Sequence, residues 1–223
     1  MGFQYSCFIS YRQGQEELTR TFINELTIAL NNYTEPLLDD NKLKAYVDIK
    51  KNYGGVFLDI NLFQALCNSV CMILIYTPNY FSCNHLYCTR EFLAMQLIEE
   101  KRFEIAQIPV NQRLKSFIIP VIFRGTDTFP PSIKNNSKIY FDFSKYSLAK
   151  PNIRDNSEYV GEIEKIADHI RTLYNQYIFH NNIDLIDQIQ FPSEEEALNF
   201  VKQNPSSISP FPGRKENYEL HVS

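Results

Sequence analysis

The 223-residue sequence has no tryptophan, only seven glycines and three methionines, and no apolar run long enough to cross a membrane. The scarcity of glycine carries information. The one adjacent pair, Gly54-Gly55 in Asn52-Tyr53-Gly54-Gly55, does not make the G-x-G-x-x-G phosphate fingerprint, so a Rossmann dehydrogenase is excluded by motif. No G-x-S-x-G elbow is present, and no convincing Ser-His-Asp set. An excess of positive charge is also missing: the formal net charge is −4 and the isoelectric point about 5.6, so nucleic acid is not an expected partner. The five cysteines are an odd number, and Cys7, Cys67 and Cys71 lie in apolar runs, which reads as buried, reduced thiols of a cytoplasmic protein. Cys83, His85 and Cys88 match no structural zinc spacing, and no metal is expected. Met1 to Ser6 lacks the basic-then-apolar order of a secretory leader. Gly2 and Ser6 fit a loose myristoylation pattern, but Tyr5-Ser6 belong to the first expected strand.

What is present is an alternation of short apolar runs with helical periodicities. Tyr5–Tyr11 reads as a strand, followed by a polar turn at 12–15. Leu18, Phe22, Leu26, Ala29, Leu30 and Tyr33 then recur at helical spacing until Pro36 and Asp39-Asp40-Asn41. Leu43–Val47 is a second strand, Asp48–Gly55 a charged loop and Val56–Asn68 a second helix. Cys71–Tyr76 is wholly apolar, as a strand buried on both faces must be. Thr77-Pro78-Asn79 ends it, and Asn84 is the expected N-cap of a helix carrying Tyr87, Cys88, Glu91, Phe92, Met95 and Ile98. Pro109 argues for a short helix or loop over Lys101–Ser116. Phe117–Phe123 is a fourth strand whose Pro120 predicts an edge position or a bulge. Gly125–Ser137 reads as a loop, Lys138–Phe143 as the last strand, and Tyr159 to Tyr177 as a long final helix.

Strands alternating with helices predict an α/β fold: a flavodoxin-like, five-stranded parallel sheet of order 2-1-3-4-5 with helices on both faces. In that order the switch point lies between the first and third strands, so Ser10-Tyr11-Arg12 and the stretch Thr77–Glu91 should face each other across one cleft. The main domain is expected to span 1–180. A C-terminal extension, 181–223, is expected to hold one short helix from Ser193-Glu194-Glu195-Glu196 to Lys202 and an irregular tail. It should pack back on the domain through Phe191, Leu198, Phe200 and Val201, or mediate assembly. Glu91, the one acid at the start of the helix after the central strand, is the candidate catalytic residue. The alternative at this point is a solvated Glu on an amphipathic helix.

Four segments together resemble the TIR (Toll/interleukin-1 receptor) domain over residues 3–178: Phe8-Ile9-Ser10-Tyr11-Arg12; Asp48 to Phe57; Thr77-Pro78-Asn79-Tyr80 with Tyr87-Cys88-Thr89-Arg90-Glu91; and Ile119-Pro120-Val121. Two departures are Tyr87, where Trp is most usual, and Thr77 in place of Ser. The resemblance implies an enzyme that cleaves NAD between nicotinamide and ribose, with Glu91 as the catalytic acid and NAD as substrate rather than cofactor. It implies substrate contacts from Ser10, Tyr11 and Arg12 in the first loop, and from Asp48, which either bonds a ribose hydroxyl or caps its loop. It also implies Tyr80 or Tyr87 as a stacking surface, with core packing favoured for Tyr87. A short stand-alone chain resembles the TIR sensor of the Thoeris antiphage system. That likeness implies TIR–TIR self-association, a phage-derived trigger, and a cyclic ADP-ribose-type product that activates a separate effector, or ADP-ribose by hydrolysis. The alternatives are a non-catalytic TIR–TIR adaptor and, further off, a nucleoside deoxyribosyltransferase-like enzyme.

Overall fold

The computed structural model of the protein describes residues 2–12, 17–38, 43–48, 56–113, 116–136, 139–146, 153–178 and 185–204. The expected polar turn at 13–15, the loop through Gly54-Gly55 and the tail from Pro205 lie outside those residues. Five strands, β1 (Tyr5–Tyr11), β2 (Lys44–Val47), β3 (Met72–Tyr76), β4 (Ile118–Ile122) and β5 (Phe141–Asp142), form one parallel sheet in the order β2-β1-β3-β4-β5. The helices are α1 (Glu17–Thr34), α2 (Val56–Cys67), α3 (Tyr87–Ile105), α4 (Pro131–Asn136), α5 (Ser157–Tyr177) and α6 (Glu194–Gln203). The chain steps one way from β1 to β2 and the other way from β2 through β3 to β5. Right-handed crossovers therefore put α1 on one face and α2 and α3 on the other. α5 packs on α1, and α2 and α6 pack on α3. β3 and β4 are buried at every position, as their unbroken apolar sequences require.

Four local expectations are corrected. Pro120 lies at neither an edge nor a bulge: β4 runs between β3 and β5, and Pro120 is in register with Leu74. Hydrogen-bond parity explains why it is tolerated. The Phe117 carbonyl accepts from Met72 and the Phe123 N–H donates to Tyr76, so odd-numbered residues face β3. The Ile122 carbonyl accepts from Phe143, so even-numbered residues face β5. β5 pairs only with Val121 and Ile122, so the missing N–H of Pro120 points where no ladder partner exists. The last strand is shorter than expected, Phe141–Asp142, pairing only with Val121 and Ile122 of β4; before it, within the expected loop, α4 begins with Pro131 at its first position, where a helix has no N–H bond to lose. α3 continues through Lys101 to Ile105 and stops before Pro109. The start of α3 differs as well: Leu86, not Asn84, occupies its cap position.

The C-terminal extension packs on α3. α6 opens with a reciprocal capping box between Ser193 and Glu196. Ala197 and Val201 are buried beneath it, and Phe191 and Phe200 are partly buried against the core, whereas Leu198 is only half-covered.

Candidate active site

Three elements converge at the C-terminal ends of β1 and β3. Ser10 is the penultimate residue of β1 and is in register with Leu74 of β3. β3 ends at Tyr76, and the chain turns through Thr77, whose carbonyl accepts the N–H of Tyr80 at 2.9 Å. The loop after β4 supports this turn from the side. Gly125 has φ +77°, and a Cβ there would lie 2.6 Å from the Pro78 ring, so glycine is required by both conformation and contact. The Tyr76 hydroxyl donates to the Thr128 carbonyl at 2.6 Å across the same junction.

Glu91 comes from α3. The helix begins at Tyr87 with Leu86 in the cap position and no side-chain cap, so Asn84 is not the N-cap. The Asn84 N–H instead meets Ser82 Oγ at 3.4 Å in the preceding turn. Glu91 is thus the fifth residue of α3, beyond the first turn, where the helix dipole has largely faded. It is also not a solvated helix residue: its exposure is 0%, as is that of Ser10 and Tyr80.

These three side chains bond to one another. Ser10 Oγ donates to Glu91 Oε2, and Ser10 Oγ and the Tyr80 hydroxyl lie 2.6 Å apart. The direction of the second bond follows from proton counting. Serine has a single O–H, and Ser10 gives it to Glu91, so Tyr80 must donate to Ser10. Tyr80 is suited to that role. Burial, then the neighbouring Cys88 and Glu91, push its phenol well above the usual value, so it keeps its proton. The result is a one-way chain of donors, Tyr80 to Ser10 to Glu91, ending on a carboxylate oxygen. Ser10 is fully covered and has no open side from which to act as a nucleophile.

The other expected contact residues lie around this cluster without joining it. Arg12 donates through Nη1 to the Asn79 carbonyl at 3.0 Å, tying the end of β1 to the loop that carries Tyr80. Tyr11 alternates to the opposite face of β1 from Ser10, and its hydroxyl reaches the Asp48 carbonyl at 3.4 Å. Tyr11, the last residue of β1, and Asp48, just past the end of β2, are both buried. Tyr80, expected as a stacking surface, presents no free ring face: its hydroxyl is on Ser10 and its ring packs edge-on against Phe81 at 4.8 Å. Tyr87 is half-buried, with the Arg90 guanidinium 5.6 Å from its ring centre. The direct Ser10–Glu91 bond was not legible in the sequence, which placed both residues at the cleft but not in contact. Arg90 was missed altogether, because no amphipathic stripe marks it: Cys88 through Phe92 are all buried.

A cleft of about 370 Å³ opens elsewhere, between α3, α4 and α6, and its lining includes Phe92, Gln96, Glu99, Ser116, Phe200 and Asn204 but not Glu91. Cys83, His85 and Cys88 are not part of any three-residue cluster of metal-ligating side chains among the described residues. No helix among those residues is long and apolar enough to cross a membrane.

No family model matches the chain, and no curated protein matches it. Among solved structures, the chain is similar to the TIR domains of the activated Roq1 resistosome directly recognising the pathogen effector XopQ. The identity is 16%, the match covers 89% of this chain and 98% of that one, and the TM-score is 0.38. At that identity and TM-score the likeness assigns no activity to this chain.

Proposed function

We propose that the chain is a TIR-type enzyme that cleaves NAD at the bond between nicotinamide and ribose, with Glu91 as the reacting carboxylate. The observation that carries this reading is the placement of Glu91, a buried carboxylate at the switch point of a 2-1-3-4-5 sheet, oriented by Ser10 from the neighbouring strand. Buried acids aimed by a specific donor are expensive and collect at reaction centres. The chemistry asks little more. Nicotinamide departs as a neutral base from a cationic ring, so no general acid is required. The ribose carbon left behind takes on oxocarbenium character, as in glycoside hydrolysis, and an ionised carboxylate close to it stabilises that charge or forms a transient ester. Water then yields ADP-ribose, or a base nitrogen of the same molecule yields a cyclic product; a dry site favours the second. Glu91 has no exposed surface, so the reading requires the site to open before NAD can reach it. Turnover by dilute protein is therefore expected to be low and to rise with self-association or a trigger. In a bacterial cell, a cyclic product would serve as a signal to a separate effector in phage defence.

The test is to incubate the protein with NAD over a concentration series, with and without infected-cell lysate, and to resolve products by mass beside Glu91→Gln. Nicotinamide release by the wild type and its loss in Glu91→Gln are the expected results. A product one water lighter than ADP-ribose identifies a cyclase, and ADP-ribose a hydrolase.

One observation favours a second reading, a non-catalytic adaptor acting through TIR–TIR contacts. Complete burial of Glu91, with its bond to Ser10, also fits a structural tie between β1 and α3. Absence of turnover under every condition, with self-association retained, would select it.

A further inference from the structure

The C-terminal extension touches the domain at the residues flanking those of the cluster. Phe200 of α6 lies 5.7 Å from Phe81 and 5.4 Å from Phe92, ring centre to ring centre, and Phe81 and Phe92 are 5.4 Å apart, so the three close a triangle. Phe81 follows Tyr80 in the chain, and Phe92 follows Glu91. On the other side of Glu91, Arg90 donates through Nε to the Pro192 carbonyl at 2.7 Å, and its guanidinium sits 4.5 Å over the Phe191 ring. Phe191 in turn packs on Phe63 of α2 at 5.5 Å. The first turn of α3 has no side-chain cap of its own to fix it. The extension, by contrast, enters α6 through a complete capping box and is anchored by buried Ala197 and Val201.

We infer that the segment from Phe191 to Phe200 is a brace that holds the first turns of α3 and the Tyr80 loop in mutual register, making Arg90, Phe191 and Phe200 positioning residues for Glu91. Two independent grips, one aromatic on Phe81 and Phe92 and one polar on Arg90, straddle the carboxylate. Neither touches it. Loosening either lets Glu91 rotate with its helix turn away from Ser10, whose place in β1 is set by the sheet. In its kinetic consequence the inference rests on the NAD-cleaving reading; in its structural consequence it does not, and the experiment separates the two.

The experiment compares full-length wild type, Phe200→Ala and, as a control for general destabilisation, Leu173→Ala in the buried face of α5. Hydrogen exchange is followed by mass spectrometry. Phe200→Ala is expected to speed amide exchange over 87–94 by about tenfold more than over α5, since local opening is measured against the global value; Leu173→Ala should show no such excess. Equal acceleration of both regions in Phe200→Ala would overturn the brace. Under turnover conditions Phe200→Ala is expected to lower kcat about tenfold with KM within twofold, the pattern of a misplaced reacting group rather than a lost substrate contact. A raised KM with unchanged kcat would overturn it. If wild type shows no turnover, the NAD-cleaving reading fails, and the exchange ratio alone decides the brace. Should Phe200→Ala not fold, Phe200→Leu is read in the same way.

Discussion

Replacing Tyr80 by Phe removes one oxygen from a fully enclosed cluster, and the donor chain makes its consequences calculable. Ser10 Oγ loses its only incoming proton but keeps its own bond to Glu91. A net buried hydrogen bond contributes about 1 kcal/mol, and an abandoned buried partner raises the cost to as much as ~3 kcal/mol. Tyr80→Phe should therefore cost about 1–2 kcal/mol, which for a chain of this size lowers Tm by roughly 2–8 °C. Ser10→Ala should cost more, about 2–3 kcal/mol, because it removes a bond to a charged acceptor and strands the Tyr80 hydroxyl as well. The informative quantity is the combination. If Tyr80 acts only through Ser10, then in a Ser10→Ala background Tyr80→Phe no longer removes a bond. It removes an unpaired buried hydroxyl, and the second substitution should be neutral or stabilising, leaving a coupling energy of at least ~1 kcal/mol. Urea unfolding of the four proteins, with the slope m checked for constancy, measures this. In the same proteins nicotinamide release should fall about tenfold for Tyr80→Phe, equivalent to roughly 1.4 kcal/mol of transition-state stabilisation, and no further in the double variant. Simple additivity in stability, with unchanged turnover in Tyr80→Phe, would refute the donor chain.

Other expectations follow from the same structure. Alkaline pH should weaken the fold early: burial raises the Cys7 thiol from 9.0 to about 12 and the Tyr177 phenol from 10.0 to about 12. Groups raised in the folded state bind protons that the unfolded chain has already shed, so stability is intact below about pH 9 and declines from there to about pH 12. Urea midpoints across that range check it, and Cys7→Ala should make the onset shallower. A thiol reagent should label only Cys83 in the native protein and all five cysteines after denaturation, because Cys7, Cys67, Cys71 and Cys88 are buried. Prompt native labelling of more than one thiol would contradict the packing. Arg102→Met should destabilise by about 3 kcal/mol or more, since the buried guanidinium donates to the carbonyls of Cys67, Ser69 and Val70 between α2 and β3; equilibrium unfolding measures the loss.

Much of the architecture was legible from local pattern alone. Buried parallel strands must be apolar throughout, and helices that cover them must show a 3.6-residue stripe, so Cys71–Tyr76 and Tyr159–Tyr177 announced their states. Alternation of the two kinds of segment, with right-handed crossovers, led to the strand order and hence to the switch point between β1 and β3. Pro120 was misjudged because a proline in a strand signals a missing ladder bond without saying which neighbour fails to reach it; that depended on where β5 begins. The start of α3 was misjudged because Asn84 has cap chemistry, yet the turn at Ser82–His85 uses the local backbone first.

The sequence by itself determined that this chain forms a doubly wound sheet, and that Ser10, Tyr80 and Glu91 come to the same end of it. Those are consequences of periodicity and chain direction, which are local. Only the tertiary structure decided that Glu91 is sealed rather than solvated, that Ser10 bonds it directly while Tyr80 donates from behind, and that the extension grips Phe81, Phe92 and Arg90. The partners in those contacts are separated by between 70 and 119 residues of chain, as the pairs Ser10–Tyr80 and Phe81–Phe200 define the limits. Nothing in the spacing of such distant residues specifies a bond. Burial, proton count and packing select it once the layers have closed.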